Sequence, residues 1–406
     1  MQKRFYHKSN RLTLISRLDY ILFWFTVVDI FFLPYFSFMS VSFSVPFIAF
    51  WMLVHYKELF KGEERFFFFI LILFMVAGTL MNLIYTDVVR RETTFETTIK
   101  RFFQFSICFG YYFFYKYYFK IKKVNINRLL FIFCIIETIW AIFFLISPEE
   151  YALFKIILNP IDNHTMRYIE GSVEYRFNYL WTDPNNIAYL ADGIVMWFIL
   201  DKNESLKNKL GIMLLAAIIV LATASNGGMI VLGFGLVWVI MMNLLYVNKR
   251  LKVNLSIVFK SLVLFIILCM IIKNTSIYDY IQADLIDKWL VRLDSYSSSS
   301  NMSGGRFKDI NIATDYLNPM MLFIGTGNEG VSNENGHLYW IGMYGFPAYL
   351  CFIYLWFAKI KNINWTRYAW VFPFLFAFTF NIAIGEFKFF AIYLFMLSYS
   401  RYGFYD

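Results

Sequence analysis

The residues of this chain best suited to chemistry lie between positions 303 and 344. Arg306 follows two glycines, Gly325-Thr326-Gly327 is a predicted turn, and His337 lies where polar sequence becomes apolar. Arginine presents a rigid fork of donors to a phosphate, and histidine can take a proton near neutral pH. The stretch therefore predicts a site that binds an anion and moves a proton at the mouth of an apolar helix.

Long apolar segments surround this stretch and must position it. Of the 406 residues, 59% are hydrophobic and 22% aromatic, and the mean hydropathy is +0.55. Soluble proteins contain roughly 45–50% apolar residues. The sequence therefore predicts a single all-α integral membrane domain over residues 1–406, with an uncleaved first helix. The net charge of +9 is weak evidence for nucleic acid, because cytoplasmic loops collect Lys and Arg, and no nucleic-acid partner is expected.

About twelve segments are long enough to cross ~30 Å of hydrocarbon. They are residues 19–37, 40–56, 65–85, 102–120, 128–147, 186–201, 209–224, 227–247, 254–273, 337–358, 368–384 and 387–402. Lys and Arg are more numerous in the loops on one side, which predicts that both termini are cytoplasmic. The two longest loops, about 148–185 and 274–336, then face outward. All four cysteines lie in apolar segments, so neither a disulfide nor a metal site is expected.

The first outer loop ends in Asp183-Pro184-Asn185-Asn186. An aspartate followed by proline is typical of a helix start, with the carboxylate as N-cap and the proline at the first helical position. The two asparagine amides also suit sugar hydroxyls. Capping and sugar binding both remain open for this segment.

The second outer loop begins with a predicted amphipathic helix at residues 278–294. At its far end, Asn335-Gly336 predicts a turn that fixes the direction of the His337 ring. Tyr339 is an aromatic candidate for stacking on sugar rings, although the interfacial aromatic belt of membrane proteins is the favoured explanation for such residues.

Three carboxylates fall inside predicted spans, namely Asp29, Glu137 and Asp192. Ionisable residues within the membrane are functional candidates by default. The alternative is that each is hydrogen-bonded or lies near an interface.

Several short segments, taken in order, resemble the O-antigen polymerase and O-antigen ligase superfamily of bacterial membrane glycosyltransferases. These segments are Asp183-Pro184-Asn185-Asn186, Ala224-Ser225-Asn226-Gly227-Gly228, Gly305-Arg306, Gly325-Thr326-Gly327 and Asn335-Gly336-His337-Leu338-Tyr339-Trp340. The resemblance covers about residues 176–358. It implies a GT-C-like bundle of about twelve helices with a large outer loop over a cavity. It also implies transfer of a glycan from an undecaprenyl-diphosphate carrier without metal or other cofactor.

Carried over by position, Arg306 resembles the arginine that binds the diphosphate, and His337 the histidine near the reacting centre. Ligases usually have a second arginine where this chain has Asn226. This departure argues against a ligase and leaves a position that Arg176, Arg167 or Arg101 would have to fill. The predicted substrate-binding residues are Arg176, Arg167, Asp183, Asn185, Asn186, Asn226, Asn335 and Tyr339.

The sequence thus predicts a polymerase of O-antigen (lipopolysaccharide) or capsule in a bacterial inner or plasma membrane. It would join lipid-linked oligosaccharides on the periplasmic or outer face by an inverting, metal-independent transfer. Expected partners are the lipid-linked substrate, membrane lipid, a flippase and a chain-length regulator. The alternatives are a ligase that attaches finished glycan to a lipid core, and a lipid-linked sugar transporter or flippase.

Overall fold

The fold is described from a computed structural model. The described residues are 2–36, 40–59, 64–85, 94–171, 175–181, 183–201, 203–225, 227–235, 237, 317–328, 335–357, 370–379 and 386–403. Arg306, Asn226, the predicted span 254–273 and the predicted amphipathic helix 278–294 lie outside them.

Within the described residues the regular secondary structure is helical, and the one β contact there is an isolated bridge between Phe36 and Val41. This confirms the all-α prediction for that part of the chain. The helices are α1 (Gln2–Phe32), α2 (Val45–Val54), α3 (Tyr56–Leu59), α4 (Glu64–Met81), α5 (Phe95–Ile121), α6 (Ile126–Ile146), α7 (Pro148–Leu158), α8 (Asn163–Ile169), α9 (Pro184–Leu200), α10 (Leu206–Thr223), α11 (Pro319–Ile324), α12 (Gly336–Phe357), α13 (Val371–Ala377) and α14 (Phe387–Tyr402). Residues 227–235 are also helical.

By number of residues and composition alone, four of the described helices are long and apolar enough to cross a membrane: α4, α6, α10 and the part of α12 from Gly336 to Leu355. Large apolar side chains on these helices remain exposed, including Leu73, Ile139 and Leu214. Such surfaces suit a lipid environment, so the fold is that of an integral membrane protein. The predicted spans 128–147, 186–201, 209–224 and 387–402 agree closely with α6, α9, α10 and α14.

Lys388, at the start of the buried helix α14, joins that helix to the end of α1. Its ammonium group donates to the backbone carbonyls of Asp29 at 2.7 Å, Leu33 at 2.7 Å and Pro34 at 3.0 Å, and to the Asp29 carboxylate at 3.3 Å. The other Asp29 oxygen accepts from the Ser44 backbone N–H at 2.5 Å and the Ser44 hydroxyl at 2.6 Å. Asp29 is therefore a fully hydrogen-bonded structural carboxylate.

Asp192 and Glu137 are buried differently. Both are 0% exposed, and their carboxylate oxygens have no hydrogen-bond partner within the described part of the chain. Asp192 lies on the face of α9 that packs against residues 227–235, because Ala188 lies against Gly228 one turn earlier and Met196 lies against Gly235 one turn later. Burying a carboxyl group without a partner is costly, so contacts within the described residues do not explain these two positions.

Helix α12 is sharply bent. Gly345 has φ of 83°, a left-handed conformation that favours glycine, and Pro347 follows it. The rings of Trp340 and Phe352 stack with centroids 4.4 Å apart. In a straight helix, residues at this spacing would be separated by about 18 Å along the axis. The predicted span 337–358 is therefore two arms, 336–344 and 346–357, that fold towards each other.

The Gly325-Thr326-Gly327 segment fills the bend of α12. The backbone N–H of Thr326 donates to the Gly342 carbonyl at 2.7 Å, and that of Gly327 donates to the Met343 carbonyl at 3.0 Å. Pro347 has no N–H to offer Met343, and the bend at Gly345 interrupts the helical hydrogen bonds around it. The segment thus supplies donors to carbonyls that the bend leaves without helical partners, as buried irregular backbone in a membrane requires.

Helices α4 and α5 hold the segment from the other side. The Gly327 carbonyl accepts from the Thr98 hydroxyl at 2.7 Å and from the Asn82 amide at 3.3 Å. Gly327 itself has φ of 66°, and a side chain there would meet the Gly78 carbonyl at 2.5 Å. The close approach explains why glycine occupies this position.

Candidate functional site

The first part of the candidate site is built around the Arg176 guanidinium. It donates to the Asn185 side-chain oxygen at 2.9 Å and to the Thr223 backbone carbonyl at 2.8 Å. The Ser225 hydroxyl donates to the same Asn185 oxygen at 2.8 Å. Three predicted elements, the first outer loop, the start of α9 and the turn after α10, therefore meet at one point.

Local sequence explains why Asn185 is held there. The Asp183 carboxylate accepts from the Asn185 backbone N–H at 2.8 Å, and Pro184 is the first residue of α9. The predicted helix start is thus confirmed, with Asp183 as its N-cap. Asn185 is on the first turn, where its side chain is only partly buried.

The turn after α10 is shaped by Ala224, which has φ of 44° and ends the helix. The Ser225 hydroxyl then accepts the backbone N–H of Gly228 at 3.0 Å. Asn226 lies between these two residues in the sequence but outside the described residues. Arg176 is consequently bonded to Thr223 and, through Asn185, to Ser225, the neighbour of Asn226.

The other two arginines weighed for that position lie elsewhere. Arg101 donates to the Gln104 amide oxygen at 3.0 Å on α5. Arg167 is in the last turn of α8, where it is exposed. The described contacts therefore associate Arg176, rather than these residues, with Thr223 and Ser225, which precede Asn226 in the chain.

Asn186 is directed into the bundle. It is 2% exposed, and its amide group donates to the carboxylate of Glu386, which is 8% exposed. Its position beneath the first turn of α9 suits it to hold the site together. Glu386 was not among the predicted site residues, and its only sequence signal was a short polar turn before α14.

The segment predicted to be the first outer loop is folded around a buried ion pair. The Lys155 ammonium lies 2.5 Å from the Asp162 carboxylate, and both side chains are 0% exposed. Burial lowers the pKa of Lys155 to about 8, although Asp162 opposes that shift. Asp162 also accepts a hydrogen bond from the Asn178 side-chain amide at 3.0 Å, and Asn178 is two residues after Arg176 in the chain. This network fixes the segment that carries Arg176.

His164 is the other histidine that the sequence places on the outer side. Burial lowers its pKa to about 4, a shift that Asp162 partly opposes. The imidazole is therefore neutral at pH 7, and it is a weak base there.

The second part of the candidate site is the start of α12. The Asn335 side-chain oxygen accepts the backbone N–H groups of His337 at 3.0 Å and Leu338 at 3.1 Å. Asn335 is therefore the N-cap of α12 and fixes the backbone at His337. The His337 Nε2 atom lies 3.0 Å from the Leu375 carbonyl, and its Nδ1 atom lies 3.0 Å from the Tyr349 hydroxyl.

Tyr339 lies on the first arm of α12 but is 3% exposed. Its ring meets that of Phe105 edge-on, with centroids 6.5 Å apart. In this position it packs inside the bundle.

Helix α13 connects the two parts of the site. Leu375 contacts His337, and the carbonyl of Phe378 accepts the backbone N–H of Gly336 at 2.6 Å. On its other side, the ring of Phe374 fits against Gly193 of α9, where a larger side chain would collide with it. A movement of α13 would therefore affect both the His337 and the Arg176 groups.

Five of the predicted site residues fall into two described groups: Arg176, Asp183 and Asn185 form one, and Asn335 and His337 form the other. No group of three or more His, Cys, Asp or Glu side chains in the described part of the chain is arranged to hold a metal ion. A comparison of the sequence with protein-family models found no match, and a comparison with curated proteins found none either.

Proposed function

We propose that this chain is a membrane glycosyltransferase that polymerises lipid-linked repeat units of a bacterial surface polysaccharide. The donor would be an undecaprenyl-diphosphate-linked oligosaccharide, and the acceptor a sugar hydroxyl of a second such unit. The reaction would be inverting and independent of metal, on the outer face of the inner or plasma membrane. Arg306 would bind the diphosphate, and His337 would accept the proton of the attacking hydroxyl.

The observation that carries this proposal is the position of Arg176. The resembled ligases have an arginine at the position of Asn226. Arg176 is bonded to Thr223 and, through Asn185, to Ser225, the residue before this asparagine. A diphosphate leaving group needs its developing charge neutralised, and a positioned guanidinium provides bidentate donors for it. In this proposal Arg176 takes the place of the missing arginine, with Asn185 and Ser225 beside it as donors to phosphate or sugar.

The test is transfer by the purified, full-length protein in nanodiscs with a lipid-diphosphate-linked repeat unit. Arg176→Ala and Arg306→Ala should each lower polymer formation by about 10²–10³-fold, which is typical for losing one donor to a developing charge. The corresponding lysine variants should recover little, because an ammonium group does not replace a bidentate fork. Arg128→Ala is the matched control, since Arg128 is exposed at the start of α6. Wild-type turnover by Arg176→Ala would remove the main support for the proposal.

Metal dependence is tested in the same assay. Turnover should persist in excess EDTA. Loss of turnover that Mg²⁺ or Mn²⁺ restores would contradict a metal-independent transfer.

The orientation is tested by cysteine labelling in intact cells. Cysteines introduced at Ser172 and Ser298 should react with a membrane-impermeant reagent, whereas a cysteine at Ser205 should not. The described native cysteines Cys108, Cys134 and Cys351 are buried, and a Cys269→Ser background removes the fourth native thiol. Labelling at Ser205 would move the proposed site to the cytoplasmic face.

Polymerase and ligase activity differ in the glycans of a deletion strain. Loss of a polymerase leaves single repeat units on the final acceptor, whereas loss of a ligase leaves none there.

A lipid-linked sugar transporter is a second candidate, favoured by Asp192 and Glu137. Transporters place ionisable groups inside the membrane, and both carboxylates are fully buried. Under the glycosyltransferase proposal, Asp192→Asn should leave turnover nearly unchanged. Movement of a fluorescent lipid-linked sugar across liposomes that depends on Asp192, without polymer formation, would favour transport.

A further inference from the structure

The surroundings of His337 fix which of its nitrogens carries hydrogen. The Nε2 atom lies 3.0 Å from the Leu375 backbone carbonyl. A carbonyl oxygen can only accept a hydrogen bond, so Nε2 must donate. In the neutral imidazole the lone pair is then on Nδ1, which makes Nδ1 the atom that can take up a proton.

That basic nitrogen faces Tyr349. The Tyr349 hydroxyl lies 3.0 Å from Nδ1, and the two rings meet edge-on with centroids 5.8 Å apart. Because Nδ1 accepts, the tyrosine hydroxyl donates. The bend at Gly345 makes this contact possible, since it folds the second arm of α12 back towards the first.

A substrate hydroxyl that bonded directly to Nδ1 would have to displace the tyrosine. Both nitrogens of His337 are engaged, and the ring is held between α13 and the second arm. Tyr349 is only partly buried, and its oxygen retains two lone pairs when its hydrogen points to His337. The tyrosine oxygen is therefore the better placed of the two groups to meet an incoming hydroxyl.

We propose that Tyr349 is a catalytic residue that relays the proton of the acceptor hydroxyl to His337. This inference rests on the proposed glycosyl transfer. The acceptor oxygen forms the new bond to the anomeric carbon as the bond from that carbon to the diphosphate breaks. Its proton passes to the Tyr349 oxygen, and the Tyr349 proton passes to Nδ1 of His337. The imidazolium keeps its Nε2–H bond to Leu375, and the leaving diphosphate retains the bonding electron pair.

The kinetic test compares Tyr349→Phe, His337→Gln and the double variant in nanodiscs with a lipid-diphosphate-linked repeat unit. Each single variant should lose about 10²–10⁴-fold in turnover, the usual contribution of a positioned base. The double variant should lose no more than either single variant, because groups that act as one unit are not additive. Tyr354→Phe is the matched control, since this tyrosine is on the same arm but stacks on Phe67 at 3.5 Å.

Two kinetic results would overturn the relay: near-normal turnover by Tyr349→Phe, or losses that multiply in the double variant. Tyr349→Phe should also remove the dependence of turnover on imidazole protonation, whereas a packing role would leave the pH profile unchanged in shape.

A second measurement needs no substrate. Histidine-selective ¹⁵N NMR of the wild type should show one ring with protonated Nε2 and a hydrogen-bonded, unprotonated Nδ1. The Nδ1 resonance should shift in Tyr349→Phe and not in Tyr354→Phe. An unchanged resonance contradicts the hydrogen bond and with it the relay. If the wild type does not transfer glycan at all, the proposed function fails and the relay fails with it. An active wild type with an active Tyr349→Phe contradicts the relay alone.

Discussion

The two ends of the α4–α5 helix pair are closed by opposite kinds of chemistry. At one end, the Glu64 carboxylate accepts from Lys116 at 2.6 Å and from the Tyr402 hydroxyl at 2.8 Å, and the Arg401 guanidinium lies 3.8 Å away. Arg401 also donates to the Tyr112 hydroxyl at 2.8 Å. This end is a buried network of formal charges in which each group has a partner.

At the other end the contacts are neutral. The Thr98 hydroxyl and the Asn82 amide donate to the Gly327 carbonyl, and backbone N–H groups of the Gly325-Thr326-Gly327 segment satisfy the bend of α12. The same bend brings Tyr349 to His337.

The difference indicates that the Glu64 end stabilises the helix pair, whereas the Gly327 end can serve function. Separating the partners of a buried ion pair is costly, so the Glu64 end resists opening. Neutral hydrogen bonds contribute about 1 kcal/mol each, so the Gly327 end can adjust its irregular backbone. Of the groups proposed for chemistry, His337 and Tyr349 are joined to the adjustable end through the bend of α12. The proposed transfer of a bulky lipid-linked substrate would require such adjustment.

The strongest test of this difference between the charged and the neutral end is Glu64→Gln, which leaves Lys116 and Arg401 buried without a counter-charge. The variant should lose about 3–5 kcal/mol of unfolding free energy. Chemical denaturation in detergent measures the change. Glu96→Gln is the control, because Glu96 is exposed in the first turn of α5. Equal, small losses in both variants would show that the charged end does not hold the bundle.

A smaller effect is expected from Gly345→Ala at the neutral end. Alanine at φ of 83° costs about 1–3 kcal/mol in backbone strain, and its methyl group would collide with the Phe323 carbonyl. Gly233→Ala is the matched control, because a methyl group added at Gly233 would meet no atom within 4 Å. In the proposed function, the rate of glycosyl transfer by Gly345→Ala should fall by more than its loss of folded protein explains, since the bend positions Tyr349. A variant with full stability and turnover would contradict the importance of the bend.

The smallest expected effect is that of Thr98→Val. It removes one hydroxyl bond to the Gly327 carbonyl and should cost about 1 kcal/mol, measured by the same denaturation. Thr97→Val is the control, because Thr97 is on the same turn and its hydroxyl bonds only locally to Thr94. A loss comparable to that of Glu64→Gln would erase the distinction between the two ends.

Sequence reasoning predicted the features that depend on neighbouring residues. The N-cap at Asp183 followed from the Asp-Pro pair, and the bounds of α6 and α10 followed from the apolar segments. Gly345 and Pro347 are residues that often mark a helix bend, yet the apolar run around them predicted an uninterrupted span. Contacts between distant residues have no local sequence signal, and nothing in the sequence links His337 with Leu375.

The same limit applies to the two groups of the site. The order of the family-like segments suggested that Arg176 and His337 belong to one site, and each is now placed among named partners. The pairing of Asn186 with Glu386 depends on how α9 and α14 pack, which local sequence does not encode.

The bond between Lys388 and Asp29 also has a consequence for biogenesis. A ribosome synthesises the chain from its N-terminus, so Asp29 enters the membrane 359 residues before its ammonium partner is made. Ser44, only 15 residues later, can bond to the carboxylate first and close an early α1–α2 hairpin. The nascent protein would therefore carry a hydrogen-bonded carboxylate without its counter-charge through most of its translation. A membrane chaperone or quality-control protease that recognises this state would distinguish unfinished chains from those in which α14 has docked.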